Sequence, residues 1–131
     1  MDKTANRITP DRITRLEEGQ IFVFGSNASG LHGGGAAYTA MVKFGAIYGQ
    51  GDGLQGQSYA ISTMEGWEHM RVNVNRFIEF ARQHQELTFL VTRIGCGIAG
   101  YNVSDVAPLF KSAVEMENIW LPKDFWEYLI D

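Results

Sequence analysis

The chain has 131 residues, a formal net charge of −4 and one cysteine, Cys96. This length predicts a single domain over residues 1–131, which can bury a core without disulfides or metal ions. The acidic balance argues against a broad basic face for nucleic acid, and no run approaches the ~20 apolar residues of a membrane span. The lone cysteine and the charged N-terminal stretch predict a soluble, cytoplasmic protein.

Apolar runs bounded by glycines divide the chain into alternating helices and strands. The fourth helix, at 103–113, has Asn102 or Ser104 as its candidate N-cap. The predicted elements are a helix over 10–18 ending at Gly19, a strand over 21–24, a helix over 36–44, a strand over 58–63, a helix over 67–84, a strand over 88–94, the helix over 103–113, a strand over 119–121 and a helix over 124–130.

This alternation predicts an α/β fold with a mainly parallel central sheet and helices on both faces, in three α/β/α layers. In such sheets, ligands bind beyond the carboxyl ends of the strands, in the loops that lead into helices. Any functional site is therefore expected in the loops that follow the predicted strands.

Most of the 15 glycines are concentrated in the stretches 25–56 and 95–100. Two clusters follow strands and precede helices: GSNASGLHGGGAA at 25–37 and GCGIAGYN at 95–102. Free N–H groups beside a helix N-terminus bind anions without cationic side chains. The clusters therefore indicate a phosphate-bearing small-molecule ligand, and the alternative is a pair of ordinary tight turns.

Simple nucleotide motifs do not explain these glycines. Gly95, Gly97 and Gly100 match G-x-G-x-x-G, but the short stretch after Gly100 cannot supply the remaining strands of a dinucleotide fold. Residues 51–56 match the same pattern without a strand before them, and no P-loop motif occurs. The sequence predicts no bound cofactor.

Three side chains are candidates for catalysis, each with a structural alternative. Asn27 could bind a ribose hydroxyl or orient a water, or it could form an Asx-turn. His32 could be a general base or a phosphate donor, or a solvated loop histidine. Asp52 could assist catalysis, or it could be a turn aspartate.

Four further residues of interest have weaker indications. A helix N-terminus would lower the pKa of the Cys96 thiol, but without a partner base a loop-filling role fits better. Tyr101 could stack on a ribose or base, or pack in the core. His69 and His84 form no metal-binding spacing with Cys96, so no metal site is predicted.

The segments FVFGSN, GLHGGGAA and TRIGCGIAGYN together resemble the macro domain, a family of ADP-ribose-binding modules and ADP-ribosyl hydrolases. The resemblance implies that Asn27 faces the distal ribose of ADP-ribose and that 33–35 pass close to this ribose and the diphosphate. It also implies that 95–101 wrap the diphosphate. The ligand-binding residues expected on this basis are Gly25, Ser26, Asn27, Gly33, Gly34, Gly35, Gly95, Cys96, Gly97, Ile98, Ala99, Gly100 and Tyr101.

The longer string AIYGQGDGLQGQSYAI resembles more closely a group of bacterial and phage proteins with a macro-like core, over residues 21–110. Two departures from the macro pattern stand out. The segment Asn6-Arg7-Ile8-Thr9 lacks the aspartate that contacts adenine in many macro domains, and residues 49–57 have no counterpart there and could reshape the distal end of the site.

Three functional hypotheses follow. The domain binds ADP-ribose or a related nucleotide diphosphate and hydrolyses an ADP-ribosyl bond, with Asn27 positioning water. Alternatively, it binds the same ligand without chemistry. In the third, a phage-related interaction or structural protein keeps the fold but not the site, and its C-terminal segment 121–131 docks a partner or simply covers the sheet.

Overall fold

The computed structural model describes residues 7–130. From the first strand onward its helices and strands follow the predicted order, with one additional short strand at Gly53–Gln55. The elements are β1 (Gln20–Ser26), α1 (Gly35–Lys43), β2 (Gly53–Gln55), β3 (Ser58–Ser62), α2 (Trp67–Arg82), β4 (Thr88–Val91), α3 (Val103–Val106), a 3-10 helix (Ala107–Ala113), β5 (Ile119–Trp120) and α4 (Lys123–Leu129).

The five strands form one sheet in the order β2-β3-β1-β4-β5, and only β2 runs antiparallel to its neighbour. The predicted α/β class with a mainly parallel sheet is therefore confirmed. The chain leaves β1 through α1 toward β3, and it leaves the adjacent β4 through α3 toward β5. Because these two crossovers diverge, a crevice opens at the carboxyl ends of β1 and β4.

Alternating side chains of the strands belong to two separate hydrophobic cores, one on each face, as expected for a sheet covered on both faces. Ile21 and Val23 of β1 belong to the larger cluster, which includes buried residues of α2, the 3-10 helix and α4. Phe22 and Phe24 point to the opposite face, where they pack with buried residues of α1. Helices therefore lie on both faces, with α1 as the only helix on its side within residues 7–130.

The helix predicted over 10–18 is wrong, because these residues have no regular secondary structure. Ile13 and Leu16 instead pack against the cluster on the α1 face, in place of a second helix there. The segment starts beside β5, where the Thr9 N–H donates to the Leu121 carbonyl at 2.9 Å, and it ends at the first residue of β1. An extended chain covers about twice the distance per residue of an α-helix, so tertiary anchoring at both ends overrides helix propensity.

Arg7 anchors the start of the described chain to its C-terminal elements. Its guanidinium donates to the carbonyl oxygens of Ala113, Val114 and Ile119 at 2.9 to 3.0 Å. The same group lies 4.9 Å from the ring centroid of Trp126, whose indole N–H donates to the Arg7 carbonyl. Ile8 then pairs with Leu121 in an isolated parallel bridge, which extends the sheet beyond β5.

The helix predicted over 103–113 exists, but only its first turn is α-helical and the rest is 3-10. Pro108 lies in the first turn of the 3-10 stretch, where its missing N–H removes a donor from the helical ladder. Asn102 occupies the N-cap position without a side-chain capping bond. In residues 7–130, no helix has the length and apolar character needed to cross a bilayer.

Candidate functional site

A cavity of about 560 Å³ lies in the crevice between the diverging crossovers of β1 and β4. This volume falls within the range typical of small-molecule sites. The lining follows the order of the strands in the sheet, with Met64 after β3, Asn27 after β1, Gly95 after β4 and Pro122 after β5. The cavity is therefore elongated across the sheet edge.

The two glycine-rich loops meet at this cavity, which was the main geometric requirement of the sequence-based site. A Cβ atom placed on Gly25 would lie 3.6 Å from the Gly95 nitrogen, so the loops are in direct contact. Of the expected ligand-binding residues, those that line the cavity are Gly25, Ser26, Asn27, Gly34, Gly35, Gly95, Gly97, Ile98 and Ala99. Those that do not are Gly33, Cys96, Gly100 and Tyr101.

The N-terminus of α1 faces the cavity with free donors. Gly34 is the N-cap residue and supplies no side-chain cap, and the first turn contains no acidic residue. The first hydrogen bond of the helix runs from the Tyr38 N–H to the Gly34 carbonyl at 3.2 Å. The N–H groups of Gly35, Ala36 and Ala37 consequently lack helical partners, and all three residues line the cavity. This end of the helix carries positive potential.

The second loop presents another set of donors. Two backbone bonds fold it, from the Tyr101 N–H to the Gly95 carbonyl at 2.8 Å and from the Gly100 N–H to the Gly97 carbonyl at 2.9 Å. The N–H groups of the cavity-lining residues 97–99 hydrogen-bond to no group of the described chain. Gly95 has φ +75°, a conformation that L side chains rarely adopt, so this turn favours glycine.

Near β5 the cavity has apolar walls formed by Pro10 and Pro122, with the polar side chains of Thr9, Asp11 and Arg12 beside them. Apart from Pro122, these residues belong to the non-helical segment and not to the strand loops. Such walls suit a flat apolar or aromatic group better than a sugar.

The end near β3 is uncharged, with the polar side chains of Asn27 and Thr63 beside Leu31 and Met64. The Thr63 N–H and hydroxyl both donate to the Ser26 carbonyl, which ties the loop after β3 to the end of β1. Leu31 and Met64 are about half exposed at the mouth, where Ile98 is 87% exposed.

Two arginines also line the cavity, and sequence reasoning missed both because it assigned anion binding to the backbone alone. Arg93 follows β4 and forms an ion pair with Asp124 at 2.8 Å. Arg12 is exposed and forms no ion pair with any carboxylate of residues 7–130, while Asp11 beside it also lines the cavity. The sequence placed Arg93 near the end of the predicted strand 88–94, and this position at the carboxyl end of a strand was the available signal for it.

Of the three catalytic candidates, only Asn27 lines the cavity. Its side-chain amide closes its own loop, since Oδ1 accepts from the Leu31 N–H at 3.0 Å and Nδ2 donates to the Leu31 carbonyl at 3.4 Å. This arrangement corresponds to the turn-forming alternative.

His32 lies apart from the cavity in which the sequence placed a general base. The side chain is fully buried and its ring contacts Phe24 edge-to-face, with the ring centroids 5.3 Å apart. Neither ring nitrogen has a hydrogen-bond partner among the described residues. In this position His32 packs in the interior and does not reach a ligand in the cavity.

Asp52 also lies outside the cavity lining. Its Oδ1 accepts a hydrogen bond from the Ser62 N–H at 3.1 Å, at the end of β3. The carboxylate therefore has a structural partner in the sheet and no contact with the space between the glycine loops.

Tyr101 and Cys96 both pack against the larger core instead of lining the cavity. The Tyr101 ring contacts Trp67 edge-to-face at 5.1 Å, in agreement with the core-packing alternative. No group of three potential metal ligands occurs within residues 7–130.

The Cys96 thiol is expected to react slowly in the folded protein. Burial raises its pKa and Asp124 raises it further, whereas Arg93 lowers it, and the net shift is upward. Because only the thiolate is nucleophilic, Ellman's reagent at pH 7 should modify Cys96 slowly before urea is added and rapidly after unfolding. Equal rates in the two states would contradict this assignment.

No family model, curated protein or solved structure matches this chain.

Proposed function

We propose that this domain binds a nucleoside diphosphate carrying a second sugar, of which ADP-ribose is the representative. The observation that supports it best is the convergence of two sets of unpaired N–H donors, from the N-terminus of α1 and from residues 97–99, on one cavity. Such donors bind phosphate oxygens in an acidic protein because they carry no counter-charge of their own.

The length of the cavity fits a ligand with groups on both sides of a diphosphate. It spans the ends of four adjacent strands, or about 14 Å at ~4.8 Å per strand. The donors lie after the two central strands, β1 and β4. A diphosphate held there leaves one end of the cavity for each of the two remaining parts of the ligand.

The two ends differ in a way that orients the ligand. The apolar walls formed by Pro10 and Pro122 favour a nucleobase at the β5 end, where Asp11 and Arg12 offer an acceptor and donors. The uncharged polar groups of Asn27 and Thr63 at the β3 end favour the second sugar. The macro-domain resemblance of the glycine loops agrees with this orientation.

We favour binding over hydrolysis. Neither His32 nor Asp52 lines the cavity, and the Asn27 amide is engaged with Leu31. A general base has to lie within hydrogen-bond reach of the water that it activates, and neither His32 nor Asp52 reaches the cavity.

Calorimetry and thermal unfolding with ADP-ribose test the proposal. At 100 times its dissociation constant the ligand adds about 2.7 kcal/mol to the free energy of unfolding, which should raise Tm by about 10 °C. ADP should bind more weakly and ribose 5-phosphate more weakly still, because each fills less of the cavity. An unchanged Tm with all three would contradict the proposal and favour the interaction-protein alternative.

A further inference from the structure

Nucleotide binding does not account for residues 49–57, the glycine- and glutamine-rich stretch without a counterpart in macro domains. The structure packs its first part against the loop that carries Asn27. The Gly49 N–H donates to the Gly30 carbonyl at 2.9 Å. A Cβ on Gly51 would lie 2.8 Å from the Ala28 carbonyl oxygen and closer still to that of Asn27.

The close contact between these two segments also restricts which residue can stand at Gly30, on the loop 27–31. Gly30 has φ +70°, and a Cβ there would collide with the backbone of Gly49 and Gln50. The two segments therefore meet backbone against backbone, a distance that only glycine permits. Residues 49–51 act as a rigid support under the loop 27–31.

This support is fixed to the sheet by two buried or partly buried side chains. Gln55 is 3% exposed, accepts from the Ile47 N–H at 2.7 Å and donates to the Gln50 carbonyl at 3.1 Å. Asp52 accepts from the Ser62 N–H in β3. The position of the support thus follows the position of the strand.

Glu65 holds the loop 27–31 from the other side. Its Oε2 accepts from the Ala28 N–H at 2.9 Å, and its Oε1 accepts from the Ser62 hydroxyl. Burial raises the pKa of Glu65, but the hydrogen bonds from Ala28, Ser62 and Met64 and the charge of His69 together bring the pKa below its usual value. The carboxylate form is therefore the one that the loop stabilises.

We propose that Gly51 and Glu65 are positioning residues, which fix the loop 27–31 as the wall of the cavity for the part of the ligand beyond the diphosphate. The inference rests on the proposed function. Neither residue lines the cavity, so each acts through the loop that it holds. The phosphate-binding donors of α1 and residues 97–99 belong to other segments and do not depend on this support.

The separation of roles predicts a loss of selectivity instead of a general loss of binding. ADP reaches the nucleobase end and the phosphate donors, whereas ADP-ribose also reaches the loop 27–31. Replacing Glu65 or Gly51 by alanine is therefore expected to weaken ADP-ribose binding about tenfold and to leave ADP binding within about twofold. Glu65→Gln, which keeps one acceptor oxygen, should lie between alanine and the native protein.

The experiment measures the dissociation constants of ADP-ribose and ADP by calorimetry for each variant of the full chain. Glu68→Ala is the matched control, because Glu68 is exposed and pairs only with Arg71 on the surface of α2 among the described residues. It should bind both ligands like the native protein. Glu65 is also exposed, so its variants are expected to fold even if Gly51→Ala does not.

Two outcomes would overturn the inference, and they distinguish a failure of the positioning role from a failure of the proposed function. If the native protein binds ADP-ribose but Glu65→Ala keeps full affinity, or loses both ligands equally, the positioning role is refuted while the proposed function stands. If the native protein binds neither nucleotide, the proposed function fails and this inference fails with it.

Discussion

Replacing Gly34 by aspartate is expected to weaken ADP-ribose binding at least ~100-fold without lowering the stability of the protein. Gly34 caps α1 with an extended backbone, φ −162°, and a Cβ placed on it meets no atom within 4 Å. Aspartate is a better N-cap than glycine by a few tenths of a kcal/mol, so the free energy of unfolding should stay level or rise slightly. Binding and stability are thus predicted to change in opposite directions.

The loss of binding has an electrostatic cause. A carboxylate at the N-cap would occupy the helix terminus that we assign to phosphate, and two unit charges 4 Å apart repel by about 4 kcal/mol at an effective dielectric constant of 20. This repulsion far exceeds the gain from capping. Gly34→Asn provides the matched control, since asparagine caps equally well without charge.

Calorimetry with ADP-ribose and urea unfolding of the same samples check this prediction. Gly34→Asn should bind much more tightly than Gly34→Asp, although less tightly than the native protein because its side chain takes one N–H donor. Tight ADP-ribose binding by the stable aspartate variant would remove α1 from the phosphate site.

Replacing Arg7 by alanine should lower the free energy of unfolding by about 3 kcal/mol. The 9% exposed Arg7 is the donor for three backbone carbonyls near the C-terminal end of the fold, at Ala113, Val114 and Ile119. Its loss removes the guanidinium donor from these carbonyls, of which Ala113 keeps the Met116 N–H, and it removes the contact with the Trp126 ring. Arg7→Lys should recover only part of the loss, because an ammonium cannot reproduce the geometry of the guanidinium fork.

Urea unfolding followed by tryptophan fluorescence provides the measurement. Arg15→Ala is the control, since Arg15 is exposed and its removal should change the free energy of unfolding by less than ~0.5 kcal/mol. An effect of Arg7→Ala no larger than that of Arg15→Ala would show that the Arg7 hydrogen bonds add nothing to stability.

The strands and long helices could be predicted because their apolar patterns coincide with their tertiary roles. The run at 21–24 is buried on both faces, as its uninterrupted apolar sequence indicated. The predicted ends of these elements were less accurate than their positions in the chain. The strand predicted to reach residue 94 ends at Val91, because the chain turns after Thr92, where the Ile94 N–H donates to the Thr92 carbonyl at 2.8 Å.

Two segments could not be predicted from local sequence. The stretch 10–18 has the spacing of a helix, but its ends are tied to β5 and β1, and Ile13 and Leu16 fill the sheet face in an irregular conformation. The strand Gly53–Gln55 is short, contains glycine and has no apolar alternation. Its pairing with β3 depends on Gln55, whose amide bonds backbone groups within the preceding loop.

The candidate site was predictable in its backbone and not in its side chains. Glycines between strand and helix indicate where a ligand can approach N–H groups, and this rule needs no tertiary information. The burial of His32 and the cavity-facing position of Arg12 depend on how distant segments pack. Side chains in loops are therefore assigned to a site reliably only once the packing is known.

The pairing of Ile8 with Leu121 affects the stage of folding at which the cavity becomes complete. Thr9 and Pro10 form part of the cavity wall, and they are held there by contacts with residues more than a hundred positions later in the chain. Contacts that close so long a loop carry a high entropic cost and form late in folding. A fragment that ends at residue 102 would contain both glycine-rich loops and still lack one side of the cavity, so the nucleobase binding that we propose requires the two ends of the described chain to pair.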